Sequence, residues 1–222
     1  MTNESDREPG EGGEKCARPY RLGRREAAMD AAKARALVAA RELILGDNAA
    51  SSFSMEAVAR RSGATRMTIY GYFGSKRGLL EALFDDIALR ARLGDRIPSI
   101  FMQANARDAL RMYVEVFCDF WGEERVMNRS LRGFAALDKE FADAIAARDE
   151  RRRQAIHALL ARLPEQGAPA LAPREHTART LLALTSFEFY DTLAGDHPAA
   201  EIAPIVYALV LAALNLAVSS AP

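Results

Sequence analysis

The sequence predicts an all-α fold of about nine helices, a small N-terminal helical domain followed by a larger one. Two observations carry this. Half of the 222 residues are hydrophobic but only 8 % are aromatic. Alanine is the commonest residue, and Ala and Leu lose little freedom in a helix, whereas sheets lean on β-branched and aromatic side chains. Apolar positions also recur at three- and four-residue spacing in one segment after another, with no strand-like alternation and no internal repeat. Other classes are excluded. Two cysteines, Cys16 and Cys118, cannot build a disulfide scaffold or a four-cysteine zinc site. The longest unbroken apolar run, Ile202 to Leu214, contains Pro204 and falls short of the ~20 residues that a membrane span needs. With no signal peptide, the chain reads as cytoplasmic.

The elements follow in order. Residues 1–19 combine Pro9, Gly10, Gly12, Gly13 and Pro19 with acidic filler and read as a disordered arm. Helical periodicity begins near Met29, with Leu37, Ala40, Leu43 and Ile44 on one face, and should stop near Asp47 and Asn48. Ser54 is placed to cap a short helix over 55–62 that Gly63 ends, and Thr65 to cap a second over 66–72, closed by Phe73 and Gly74. Ser75 caps a longer helix with Leu79, Leu80, Leu83, Phe84 and Ile87 in one stripe. It should run to about Leu93, where Gly94 and Pro98 break it. Further helices are expected over about 106–121, 124–135 and 139–163. After a Pro/Gly-rich loop at 164–173, two more cover about 175–193 and 201–218, around a turn at Gly195–Pro198. The domains are therefore the arm (1–19), a first domain (20–92) and a second (93–222).

Charge is uneven although the whole chain is neutral, with 30 basic and 30 acidic side chains. Residues 15–80 carry 13 basic side chains against 5 acidic ones, and the flanking segments are acidic. A basic block in a neutral protein is expected when one domain meets phosphate and another does something else.

That block contains Ser54–Leu80, SMEAVARRSGATRMTIYGYFGSKRGLL. Its mechanics suit two helices crossing at a tight turn. Val58 and Ala59 can pack on Ile69, and Gly63 permits the bend. Arg66, Met67, Thr68 and Tyr72 would then point outward, as groups that read base edges in a major groove do. Thr65, Tyr70 and Lys76 would flank them where hydroxyl and ammonium groups grip phosphate, and Ser54 caps the first of the two helices. Periodicity and charge alone leave a helical protein that never touches DNA as an even alternative.

The pattern S-M-E-A-V-A-x-x-S-G-x-T-x-x-T-I-Y-x-Y-F-x-S-K-x-x-L-L, behind a helix of suitable length, resembles the N-terminal DNA-binding domain of the TetR family of bacterial transcriptional regulators over about residues 28–92. The resemblance implies that Tyr70 and Lys76 contact phosphate. It also implies that Thr65, Arg66, Met67 and Thr68 occupy base-reading and phosphate positions. Tyr72 stands where the family most often has histidine, Asn48 and Ala49 where it usually has glycine and an aromatic, and Gly71 where a longer polar residue is common. A homodimer, a ligand pocket in the C-terminal helices and repression relieved by a small molecule are further implications.

Elsewhere the residues suggest less. His157, His176 and His197 have no metal-ligand spacing, no nucleophile–base constellation is present, and Gly71, Gly74 and Gly78 form no phosphate cradle, so no catalytic, metal or cofactor site is expected. The run Arg148–Arg153 reads as the solvated face of a long helix, with Asp149 pairing to Arg153. Cys118 reads as a small buried side chain. Phe117, Phe120, Trp121, Phe187 and Tyr190 are candidates to line an apolar cavity, although aromatics at helical spacing are commonly core, and Trp121 fits either place. The last helix is apolar around too much of its circumference for an ordinary surface helix. Leu182, Phe189, Val206, Leu209, Val210, Ala213 and Leu214 are therefore expected in a four-helix dimer interface.

The expected protein is a homodimeric repressor that binds a palindromic operator in double-stranded DNA. An apolar or amphipathic small-molecule effector releases it, and no membrane partner is expected. An activator or ligand-independent regulator is the nearest alternative, and a helical enzyme or carrier the alternative from another class.

Overall fold

The computed structural model describes residues 17–46, 53–163 and 174–214, and every regular element among them is a helix. Eleven helices lie among the described residues, against about nine expected. Helix α1 (Ala17–Leu45) opens well before Met29, with Pro19 in the first turn, where its missing N–H costs nothing. Residues 17–19 thus belong to a helix and not to the arm. The rest of the arm and the expected stop at Asp47 and Asn48 lie outside the described residues. The buried face of α1 is made of Ala36, Ala39, Ala40 and Ile44, small enough for α2 (Met55–Ser62) to pack closely against it.

Three caps start the next three helices. The Ser54 hydroxyl accepts from the Ala57 N–H at 3.1 Å and opens α2. Thr65 accepts from the Thr68 N–H at 3.1 Å and opens α3 (Arg66–Phe73). Ser75 accepts from the Gly78 N–H at 3.1 Å and opens α4 (Lys76–Arg90). Gly63 ends α2 with φ 71°, a left-handed conformation that a side chain would oppose. Beneath the turn Val58, Ala59 and Ile69 are buried together, as the sequence predicts.

Two elements depart from expectation. Helix α4 ends at Arg90 rather than near Leu93. Arg92, at φ 54°, is the only described non-glycine residue with positive φ, and it turns the chain into a separate helix, α5 (Leu93–Met102). Gly94 and Pro98 lie inside α5 instead of breaking it. Pro98 deprives the Gly94 carbonyl of its intrahelical donor, and burial of Leu93 and Ile100 offsets that loss. The helix expected over 175–193 is two, α9 (Arg174–Leu184) and α10 (Phe187–Ala194). Ser186 accepts from the Phe189 N–H at 3.2 Å and restarts the chain in a new direction.

The remaining helices are α6 (Ala106–Glu123), α7 (Arg125–Ala135), α8 (Lys139–Arg162) and α11 (Ala199–Ala213). The loop expected at 164–173 and the tail from 215 onward lie outside the described residues. Helix α6 runs through the centre of the second half, with Leu110, Tyr113, Val114, Phe117 and Trp121 buried, and packs on α5, α8, α10 and α11. The two halves meet in a continuous interface. Phe53 sits edge-on to Phe134 and Phe141 at 6.2 and 5.4 Å, and Arg41 of α1 pairs with the buried Glu124 at 2.6 Å.

The joint between α3 and α4 has one steric requirement. A Cβ at position 78 would run into the backbone carbonyl of Phe73. Gly78→Ala should therefore destabilise the protein by ~1–3 kcal/mol, as overpacking does. Denaturant unfolding should show a lower midpoint at unchanged slope, and an unaltered midpoint would mean that this joint can relax.

Candidate nucleic-acid interface and ligand cavity

Helix α3 is held from beneath by Ile69 and Phe73, both buried, and presents its other side to solvent. Arg66 and Tyr70 are exposed and Met67 is 84 % exposed, while Thr68 and Tyr72 are half-buried. The guanidinium of Arg66 lies 5.3 Å from the centre of the Tyr70 ring and pairs with Glu56 at 2.8 Å. Both partners are open to water, so a phosphate or base edge can take the arginine over. The Thr65 and Thr68 hydroxyls lie 2.8 Å apart within the cap. Ser54 caps through a lone pair and keeps its O–H for an outside acceptor, whereas the Thr65 and Thr68 hydroxyls use one O–H between them and leave the other.

Lys76 stands apart from this face. Its ammonium group donates to Asp138, which also accepts from the Glu140 N–H at 2.9 Å and so caps α8. It lies 5.4 Å from the Phe141 ring. The lysine expected to grip phosphate instead joins α4 to the second half in this structure. Its hydrogen bond holds the Asp138 carboxyl below the usual aspartate range. A carboxyl depressed in this way contributes stability above its unfolded pKa, and loses it as pH falls through the lower folded value.

Between α4 and α8 lies a cavity of about 450 Å³, walled also by α5, α6 and α7. Phe117, Phe120 and Trp121 line it, and the Trp121 indole N–H donates to the Thr185 carbonyl at 3.0 Å. Phe187 and Tyr190 do not reach it. Phe187 packs behind Trp121, 5.7 Å between ring centres, and Tyr190 is buried beside Gly122. Phe84, Asp85 and Ala88 bring the cavity against α4.

The arginine run on α8 departs most from expectation. Arg152 is buried and Arg148 half-buried, and both line the cavity instead of facing water. Asp149 pairs with Arg152 at 3.1 Å and Arg132 at 3.7 Å rather than with Arg153, whose partners are Glu150 and Glu175. The sequence held a signal for this. Phe141, Ile145, Arg148, Arg152, Ile156 and Leu159 follow one another at three- and four-residue steps, so the arginines share the apolar face.

The interface candidates also divide. Val206, Val210 and Leu214 are buried within the protomer's own core and cannot form an outer surface. Leu209 and Ala213 are exposed, joined by Ile205 at 47 %, and Leu182 and Phe189 are half-buried. Cys118 is a buried free thiol that burial pushes up to about 12, out of reach of easy oxidation. Among the described residues no group of three or more His, Cys, Asp or Glu is arranged to hold a metal, and no helix is long and apolar enough to cross a membrane.

A capped, solvent-facing recognition helix on a basic three-helix unit defines a helix-turn-helix DNA-binding protein. Residues 36–83 match the family model for bacterial regulatory proteins of the tetR family. The HTH-type transcriptional regulator EthR of Mycolicibacterium smegmatis is 25 % identical over 181 residues, 81 % of this chain and 83 % of that protein. Solved structures share the fold. NalD, described as the secondary repressor of the MexAB-OprM multidrug efflux pump in Pseudomonas aeruginosa, superposes with a TM-score of 0.65 at 21 % identity, covering 84 % of this chain and 97 % of that one. The TetR-family regulator PfmR of Thermus thermophilus gives 0.58 at 24 % identity over 80 % and 97 %. Residues 36–83 thus carry a tetR-type DNA-binding domain, and over about four fifths of its length the chain is similar to helix-turn-helix transcriptional regulators.

If Lys76 leaves Asp138 for phosphate on DNA, Lys76→Ala should weaken binding to specific and random DNA alike. It should also flatten the logarithmic salt dependence by about one unit per protomer. Asp138→Asn should tighten binding at unchanged or steeper salt slope. A wild-type slope in Lys76→Ala would restrict the lysine to joining α4 and α8.

Proposed function

We propose that the protein is a homodimeric repressor whose two recognition helices read a palindromic operator and whose cavity admits an effector that releases it. The reading rests on one observation, the cavity wall formed by Phe84, Asp85 and Ala88 of α4, the helix that follows directly from the recognition helix. A ligand in the cavity touches the lever that sets where α3 stands. If it binds better when the two recognition helices are wrongly spaced for DNA, it lowers DNA affinity by that difference.

Base reading falls to Arg66, Met67, Thr68 and Tyr72, and phosphate contact to Ser54, Thr65, Tyr70 and Lys76. The first domain is taken as residues 20–92 and the sensing domain as 93–222, divided at the Arg92 turn. The dimer is built on the exposed side of α11, through Ile205, Leu209 and Ala213 with Leu182 and Phe189 beside them. An exposed apolar stripe of this kind is what an isologous contact covers.

The test is binding to DNA flanking the protein's own coding region. A salt-sensitive shift with two half-sites about one helical turn apart is expected, and a protein that binds such DNA no better than random sequence would overturn the reading. For the dimer, Leu209→Glu should leave the protomer folded, because the side chain is already 40 % exposed, and convert the sedimenting species from dimer to monomer at micromolar concentration. An unmodified protein that sediments as a monomer would remove the dimer.

A further inference from the structure

The cavity is apolar over most of its wall, yet its α8 side is crowded with positive charge. Arg148, Arg151 and Arg152 of α8 line the cavity together with Arg132 of α7, against two carboxylates, Asp85 and Asp149. Both carboxylates are engaged: Asp149 with Arg152 and Arg132, and Asp85 with Arg148 at 3.2 Å. Outside the lining, Glu188 draws Arg132 at 2.9 Å and Glu81, itself paired with Arg77, acts on Arg148, while within the lining four cations face two carboxylates. Arg151 has no ion pair among the described residues. Burial, with Arg151 close by, pushes the Arg148 guanidinium down from its usual range, so charge at this wall is under-compensated.

Three of the four aromatic rings that line the cavity already carry a guanidinium, and only Phe120 does not. Arg148 lies 4.2 Å from the centre of the Phe84 ring, and Arg152 lies 4.7 and 5.2 Å from those of Phe117 and Trp121. A cationic guest depends on open π faces and would meet a guanidinium on each of these three. An anion meets donors. The Nε of Arg152 is buried with no hydrogen-bond partner among the described residues, a group whose desolvation remains uncompensated until something accepts from it.

On the reading of this cavity as the effector site, we infer that the effector is an anionic amphiphile. Its apolar body lies against Phe120 and Leu131, and its carboxylate head is received by Arg148, Arg151 and Arg152. The planar forks of arginine match a carboxylate better than any neutral head group. Arg148 also donates to the Glu81 carbonyl of α4 at 3.0 Å, so a head group that engages this arginine competes with its hold on α4. The charge therefore supplies both selectivity and a route to the recognition helix.

The test uses the full chain and straight-chain carboxylates, alcohols and trimethylammonium salts of about eight to twelve carbons, each below its micelle concentration. Binding is read by Trp121 fluorescence and by the melting midpoint. The carboxylate should bind at least ~10-fold tighter than the alcohol of equal length, a charge-assisted hydrogen bond's worth, and the ammonium weakest. Arg151→Gln, at an exposed position, and Arg148→Gln should each bring the carboxylate down towards the alcohol. An alcohol or ammonium that binds as tightly as the carboxylate, or variants that keep the preference, overturns the anionic effector while leaving the cavity as a ligand site. Silence from all three series, in fluorescence and in melting, overturns both.

Discussion

Helix α4 is buried from two sides, and the rest of the molecule is arranged around that constraint. Leu79, Leu80 and Leu83 are fully buried, and the helix packs against α1 and α3 on one side and α5 and α8 on the other. The helix buries the stripe Leu79, Leu80, Leu83 and Ile87 and keeps Arg77, Glu81, Asp85 and Arg90 on the side left to solvent. It cannot move without disturbing either the recognition helix or the cavity. Close packing makes such an element respond by shifting as a body rather than by deforming.

Polar contacts across the same junction give it a direction as well as a grip. Arg41 with Glu124, Lys76 with Asp138, and Arg148 with Asp85 and the Glu81 carbonyl all tie the N-terminal helices to the C-terminal ones. Each of these bonds uses a cation. On the proposed function, two of them, at Lys76 and Arg148, lie where an anion from outside competes, a phosphate at the first and a ligand head group at the second. The junction is thus held in part by bonds that other anions can replace.

Buried arginine is costly unless it is paired and hydrogen-bonded. Arg152 meets most of that requirement through Asp149, the Thr185 carbonyl at 2.5 Å and the Thr185 hydroxyl at 3.1 Å. The Thr185 carbonyl also accepts from Trp121, so the break between α9 and α10 turns a backbone carbonyl towards the cavity wall. An unbroken helix over 175–193 would commit that carbonyl to its own backbone.

What the sequence determined by itself is what depends on neighbours three or four residues away. The caps at Ser54, Thr65 and Ser75, the turn at Gly63, the buried faces of α1 and α4, and the exposure of Arg66 and Met67 all follow from such local rules. The family resemblance was legible there for the same reason. Tertiary structure alone decided the contacts between residues 62, 67 and 83 positions apart, Lys76–Asp138, Arg148–Glu81 and Arg41–Glu124. It also decided that Pro98 sits within a helix and that Val206, Val210 and Leu214 turn inward. The reason is physical. A cap or a stripe is complete within one helix, whereas burial and ion pairing depend on which surface the rest of the chain brings opposite. The arginines of α8 lie at the boundary. Their spacing on the apolar face was written in the sequence, but only the cavity beside them shows why charge is kept there.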